Sequence, residues 1–347
     1  MKLNKRIVFL LLALLVGIFF LFFYESCTPR KQEKKFLTET GRVFGTFYKI
    51  TYESPNGKSL KPELEELFRQ FNLSLSVYND SSIISKINRN DPGVVVDEYF
   101  RTVFETGQRV SEITDGAFDM TVAPLVNAWG FGFTQQDSVT PELIHSLLKI
   151  TGYQKVRLEN DRVVKDNPAV MLDASAIAKG YASDVVADFL SSQGIENYMV
   201  EIGGEVVVKG VNDRGAPWSI GITIPIDDNT MMITELQRVI QLENGAVATS
   251  GNYRQFYHKD GKKYAHTINP HTGYPVDHNL LSVTVIAPTC ILADAYATAF
   301  MVMGVEAACR MAEQIPEIEY YLIYSKDDDS MGIKYSNGLS AKLVGRK

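Results

Sequence analysis

The sequence predicts an α+β fold whose largely antiparallel sheets are flanked by helices, and two observations carry that reading. Strand-like runs follow one another between residues 198 and 288 instead of alternating strictly with helices, an order that suits an antiparallel sheet and argues against a doubly wound parallel one. Runs with helical spacing precede and follow them. The 347 residues are 45% hydrophobic and 22% charged, enough to bury a sizeable core in one large or two small domains.

The globular part opens on GRVFGTFYKITYE, where alternation through Val43, Tyr48 and Ile50 predicts a strand. In SLKPELEELFRQFNLSLS, Leu64, Leu67, Phe68 and Phe71 share one helical face, with Ser59 and Pro62 at its start. A second helix spans Asp97 to Thr114, with Phe100, Val103, Phe104, Gly107 and Val110 inward. A third starts at Thr140-Pro141 and turns Leu143, Ile144, Leu147 and Leu148 inward. A fourth runs from Ser175 to Ser192 and stops at Gly194. The strand runs YMVEIGGEVVVKG, WSIGITIPI, LQRVIQLE, AVATSGNYRQFY and LSVTVIAP come next, then the helix ADAYATAFMVMG and the strand EYYLIYS.

Residues 1–27 differ from the rest. Lys2, Lys5 and Arg6 precede an unbroken apolar run from Ile7 to Tyr24, 18 residues long, at the lower limit for crossing a bilayer. Basic residues flank it on both sides, so charge asymmetry does not orient it. Cys27 directly after this run resembles the acylation site of bacterial lipoproteins, although Tyr24 and Glu25 stand where that motif prefers leucine and small residues. A lipid at Cys27, which would put the folded part outside the cytoplasm, and an uncleaved helix are both open, and either places the domain at a membrane. Residues 28–40 are polar and aperiodic, a tether, and residues 41–347 form the catalytic domain. A net charge of −6 and no basic run after residue 35 exclude a nucleic-acid partner. Cys290 and Cys309 lack metal-ligand spacing and read as core residues, with a disulfide neither required nor excluded.

Five segments carry candidate chemistry. In ADAYATAFMVMG, Thr289 is a candidate N-cap, Asp294 sits in the second turn, and Thr298 follows on the same face at i,i+4 among alanines. The carboxylate and hydroxyl either bind a ligand there, or Asp294 answers the helix dipole while Thr298 bonds back to its own helix. DASAIAKGYASDVVADF sets Asp173 before small residues and a Lys179-Gly180 pair, and exposed amides at a helix start suit anionic oxygen; a capped helix with a snorkelling lysine is the alternative. DGAFDMTVAPLVNAWGFG is broken by glycine and proline and offers Phe118, Trp129 and Phe131 either to a flat ring system or as lids on the core. In YAHTINPHTGYPV, turns at Asn269-Pro270 and Thr272-Gly273 would hold His266 in a fixed loop. VEIGGEVVVKG places Gly203-Gly204 inside a strand, a mark of a bulge or close backbone approach.

Taken in order over nearly all of residues 41–325, these segments resemble the ApbE family, the FAD:protein FMN transferases. FGTFYKI, SVYNDSSIISKIN, DGAFDMTVAPLVNAWGFG, DASAIAKGYASD, IGGEV, HTINPHTGYPV and ADAYATA carry the resemblance. Phe44, Met120 and Thr267 depart from it, standing where methionine, proline and an aliphatic residue are common. The resemblance implies a T-fold-like catalytic domain that moves the FMN half of FAD onto a threonine or serine hydroxyl of an acceptor protein and releases AMP. It implies Mg²⁺ held by Asp294, Thr298 and the Ala176 carbonyl. It implies an FAD site lined by Phe44, Tyr78, Ala117, Phe118, Asp119, Asp173, Lys179 and Ile268, with His266 as base and Asp294 in the catalytic centre. The implied acceptor is a subunit of a respiratory electron-transport complex on the outer face of the bacterial inner membrane. A metal-dependent FAD pyrophosphatase and a non-catalytic, membrane-tethered FAD-binding protein are the alternatives.

Overall fold

The computed structural model describes residues 35–345 apart from 134–138, 226–235, 253–255, 260–261 and 329. The apolar segment 1–27 and Cys27 lie outside the described residues. No helix among the described residues is long and apolar enough to cross a membrane.

Eight strands form the central sheet: β1 (Lys35–Val43), β2 (Thr46–Ser54), β5 (Tyr198–Ile202), β6 (Glu205–Lys209), β9 (Asn244–Gly251), β12 (Leu280–Ala287), β13 (Glu319–Ser325) and β14 (Met331–Tyr335). They lie side by side in that order, and every neighbouring pair is antiparallel. A three-stranded sheet of β7 (Trp218–Thr223), β8 (Leu236–Leu242) and β15 (Leu343–Val344) covers one face. Hairpins β3 (Val156–Glu159) with β4 (Arg162–Lys165), and β10 (Phe256–Lys259) with β11 (Lys262–Ala265), stand apart. The α+β expectation with antiparallel sheets holds. Strand β1 corrects the tether boundary, because residues 35–40 pair in register with β2 from Ser54 to Lys49.

The helices are α1 (Lys61–Leu75), α2 (Ile83–Asn88), α3 (Glu98–Ile113), α4 (Ala123–Ala128), α5 (Pro141–Leu148), α6 (Ala178–Ser192), α7 (Cys290–Met303) and α8 (Val305–Ala312). The period-2 alternation of the strands divides the core. Val207, Ala246, Ala248, Val283 and Val285 face the helices. Val206, Val208, Val247, Ile286 and Ile323 face Trp218, Ile220 and Ile240 of the small sheet. A third cluster gathers Leu125, Trp129, Ile144 and Ile268.

Helix α7 is buried over most of its surface, with Asp294 and Thr298 on one face of an otherwise apolar helix, and runs inside the helical layer. Ala293, Ala295, Ala297 and Ala299 are wholly buried. Its approach to α6 depends on Gly180, where an added Cβ would lie 2.3 Å from the Cys290 carbonyl oxygen and 2.7 Å from Asp294 Cβ.

Three local expectations are corrected. Gly203 and Gly204 do not interrupt a strand. Both take positive φ, 69° and 106°, and form the two-residue turn between β5 and β6, where Ile202 pairs with Glu205. Helix α6 starts at Ala178, not Ser175, because residues 173–177 are taken up by a turn in which the Asp173 carboxylate accepts from the Ser175 amide at 2.8 Å. The glycine-broken stretch 115–132 contains a 3₁₀ turn at Met120–Val122 and the short helix α4. Cys290 and Cys309 are free thiols, the first buried and the second half-buried.

Candidate active site

Asp294 lies at the heart of the helical layer and is only 4% exposed. Its Oδ2 accepts a hydrogen bond from the Gly180 amide at 3.0 Å. Gly180 is in the first turn of α6, where amides lack a partner four residues back. Because its N–H turns to Asp294, the Ala176 carbonyl does not receive the bond it would otherwise accept from Gly180. Thr298 shares the face of Asp294, and its hydroxyl is 3.3 Å from the Ser250 hydroxyl on β9.

The α7 N-terminus is capped from outside its own segment. Thr289 occupies the cap position but makes no side-chain bond. Asp184 of α6 supplies the acceptors, one carboxylate oxygen to Cys290 N and the other to Ile291 N, both at 2.8 Å. Two successive amides at a helix start are thus bonded by one carboxylate of the neighbouring helix, which fixes α7 against α6.

Next to this pair, Lys179 Nζ is 2.5 Å from Glu205 Oε1. Glu205 Oε2 is buried with no hydrogen-bond partner. Two carboxylates compete for one ammonium here. Burial works against the charged Lys179, but the Asp294 and Glu205 carboxylates outweigh it and hold the amine above its ordinary range. Glu205 is pushed up to about 7 by burial, against the pull of Lys179. The glycine turn makes room: a Cβ at Gly203 would meet Thr46 Cγ2 at 2.9 Å, Glu205 Oε2 at 3.2 Å and Lys179 Cδ at 3.3 Å.

Asp184 is pushed up to about 7 by burial, partly offset by its two amide bonds and reinforced by the charges of Asp188 and Asp294. The folded protein therefore keeps a proton on Asp184 between about pH 4, where an unfolded aspartate ionises, and pH 7. More protons bound in the folded state make this contribution to stability fall as pH rises through that window. The expected result is that the gap in Tm between wild type and Asp184→Asn narrows from pH 5 to pH 8. A gap that stays constant or widens in thermal melts would contradict the buried, protonated carboxyl.

The remaining predicted residues fall into two groups. Asp173 joins the centre through the chain: its amide donates to the Met120 carbonyl at 2.8 Å, and burial raises its carboxyl pKa. Asn88 bonds Leu172 in both directions, at 2.9 and 2.8 Å, which draws the segment from Tyr78 to Asn88 to the same place. Tyr78 is 74% exposed and stands edge-on to Phe133. Phe44 takes φ 50° in the turn between β1 and β2 and packs on Phe68 and Phe71. Ala117, Phe118 and Asp119 point inward instead of lining an open wall: all three are buried, and Asp119 is occupied by the amide and hydroxyl of Thr121, both at 2.7 Å.

His266 and Ile268 belong to the loop after β11. Ile268 is buried against Leu125, Trp129 and Ile144. Trp129 donates to the Gly273 carbonyl at 2.8 Å and stacks on Tyr264, so it pins the loop from below and is not an open aromatic platform. The half-buried His266 ring meets Phe131 edge-on at 6.4 Å. The expected turns form, with Asn269 Oδ1 accepting from His271 N and Thr272 N and Gly273 at φ 76°. Asp184 and Glu205 were outside the sequence reading. The one signal for Glu205 was its place directly after the glycine pair, and Asp184 looked like any polar helix residue.

Among the described residues no three His, Cys, Asp or Glu side chains cluster as a metal site. The donors implied by sequence are a carboxylate, a hydroxyl and a backbone carbonyl, from Asp294, Thr298 and Ala176. Such a donor set fits a hard cation that keeps waters and takes phosphate oxygens, and does not fit a thiolate or imidazole metal.

Known proteins share both the sequence and the fold of this chain. Residues 44–322 match the model of the ApbE family. A Vibrio cholerae protein described as FAD:protein FMN transferase is 41% identical over 300 residues, covering 84% of this chain and 87% of that protein. The solved flavin transferase ApbE from Vibrio cholerae superimposes with a TM-score of 0.80 at 38% identity, over 89% of this chain and all of that one. Pseudomonas stutzeri flavinyl transferase ApbE, in its apo form, gives 0.79 at 31% identity, over 89% of this chain and 97% of the other. A family match over most of the sequence, on the same fold, means that this chain belongs to the ApbE family.

Proposed function

We propose that this protein transfers the FMN half of FAD to a threonine or serine hydroxyl of an acceptor protein, with Mg²⁺ bound and AMP released. The observation that carries the reading is the buried Asp294 carboxylate, which shares one face of α7 with Thr298 and accepts from the Gly180 amide at the start of α6. A magnesium ion held by Asp294, Thr298 and the Ala176 carbonyl would draw charge from the pyrophosphate and favour departure of AMP.

The other steps belong to the chain. Lys179 presents a cation to the phosphates, held by Glu205. Tyr78, Phe44, Asp173 and Ile268, with the backbone of Ala117–Asp119, hold the rest of FAD. His266 accepts the proton of the attacking hydroxyl. The new bond joins that oxygen to the FMN phosphorus, and the bond broken is the one between this phosphorus and the bridging oxygen, which leaves with AMP. Displacement of this kind is governed by positioning and charge stabilisation.

For location, the apolar run ending at Cys27 supports attachment to the outer face of the bacterial inner membrane, through a lipid on Cys27 or an uncleaved helix. An exposed subunit of a respiratory electron-transport complex is the acceptor that suits this place.

The test is incubation of residues 28–347 with FAD, Mg²⁺ and a candidate acceptor, followed by intact-mass measurement. The acceptor should gain the mass of FMN less water, with AMP in equal amount and none of either when Mg²⁺ is removed. FAD consumed with an unchanged acceptor would assign pyrophosphatase activity, and FAD bound but unconsumed a carrier. The mass of the full-length protein taken from membranes separates a lipid at Cys27 from an intact N-terminal helix.

A further inference from the structure

Thr267, the residue after His266, is one of the positions where this chain departs from its family resemblance. The structure gives it a partner. Its hydroxyl donates to Asn252 Oδ1 at 2.8 Å, and the amide of the buried Asn252 donates from Nδ2 to Met301 Sδ on α7 at 3.1 Å. The Thr267 carbonyl is fixed as well, accepting from Val276 N at 3.0 Å.

Met301 follows Asp294 and Thr298 at spacings of seven and three residues, which puts all three on one face of the helix. The same residue receives a second tie from the loop region, since its carbonyl lies 2.9 Å from His278 Nε2. One helix face therefore carries the carboxylate–hydroxyl pair at one end and the anchor of the histidine loop at the other.

We infer that Asn252 and Thr267 are positioning residues, which set the His266 imidazole relative to Asp294 and Thr298 by tying its loop to Met301. The inference rests on the reading of His266 as the base. An imidazole placed wrongly by a fraction of an ångström still lets FAD bind but takes the hydroxyl proton poorly.

The test uses Thr267→Val, which keeps the branched shape and removes the hydroxyl, and Thr267→Ser, which keeps the hydroxyl. Each is made in wild type and in His266→Ala, with transfer rate, KM for FAD and Tm recorded. Thr267→Val should lower kcat by about tenfold with KM for FAD within about twofold, and Thr267→Ser should stay near the wild-type rate. In the His266→Ala background, Thr267→Val should add nothing further, because it acts through the missing ring.

An equal loss of rate in both backgrounds, or a rise in KM and a fall in Tm that track the rate, would make Thr267 a general structural residue and overturn the inference. Thr267→Val at wild-type rate beside an impaired His266→Ala enzyme removes the tie and leaves the base. His266→Ala at wild-type rate removes both.

Discussion

Asp294→Asn abolishes Mg²⁺-dependent FMN transfer, by about 10³-fold or more, while the protein stays folded. Loss of a charged ligand at a phosphoryl centre forfeits several kcal/mol of transition-state stabilisation, and each 1.4 kcal/mol is about tenfold in rate. Asparagine keeps an oxygen for the Gly180 amide, the bond that links α6 to α7 here, so the helices remain docked. Transfer followed by intact mass, with thermal melts on the same sample, reads both halves of this expectation. A rate within about twofold of wild type would reduce Asp294 to a cap for the first turn of α6.

His266→Ala lowers the transfer rate by about 10² to 10⁴-fold, the usual range for loss of general-base help. FAD affinity should hardly change, because the loop is held by several residues besides the imidazole. Trp129 and Ile268 pin it from the core side, and Asn269 and Gly273 form its turns. Measuring the FAD dissociation constant, Tm and rate on this one variant decides the role. A loss of affinity equal to the loss of rate would mean that the ring only supports the pocket.

The fold was legible in sequence wherever periodicity was strong. The faces of α1 and α3 appear where their patterns put them, and strands run on from residue 198, although the run broken at Gly203-Gly204 is a hairpin of two strands. Short elements escaped: α2, the β3–β4 hairpin, α8 and β14 carry too few residues for a period to stand out. Strand β1 was read in part as tether because KFLTET mixes charged and apolar residues on an edge strand with one exposed face.

In the site, the Asp294–Thr298 face and the turns around His266 could be read from spacing. The Asp184 cap could not, since it joins residues 106 apart and only the docking of two helices creates it. Nor could the inward turn of Phe118 and Asp119, because a motif names residues without saying whether side chain or backbone faces the ligand.

The division of the sheet into two faces also bears on how such a protein can change over time. Every charged group of the centre lies on the helix side, whereas Val206, Val208 and Ile286 meet only the three-stranded sheet behind. Along β6 a single strand thus answers to two constraints in alternation: Val207 sits beneath the helices, and its neighbours beneath a cover that holds no chemistry. Sequence drift, insertions between β7 and β8, and resizing of the rear layer can accumulate there without reaching Asp294 and Thr298. Around Gly180 and the buried alanines of α7 there is no spare volume to accept even a methyl group.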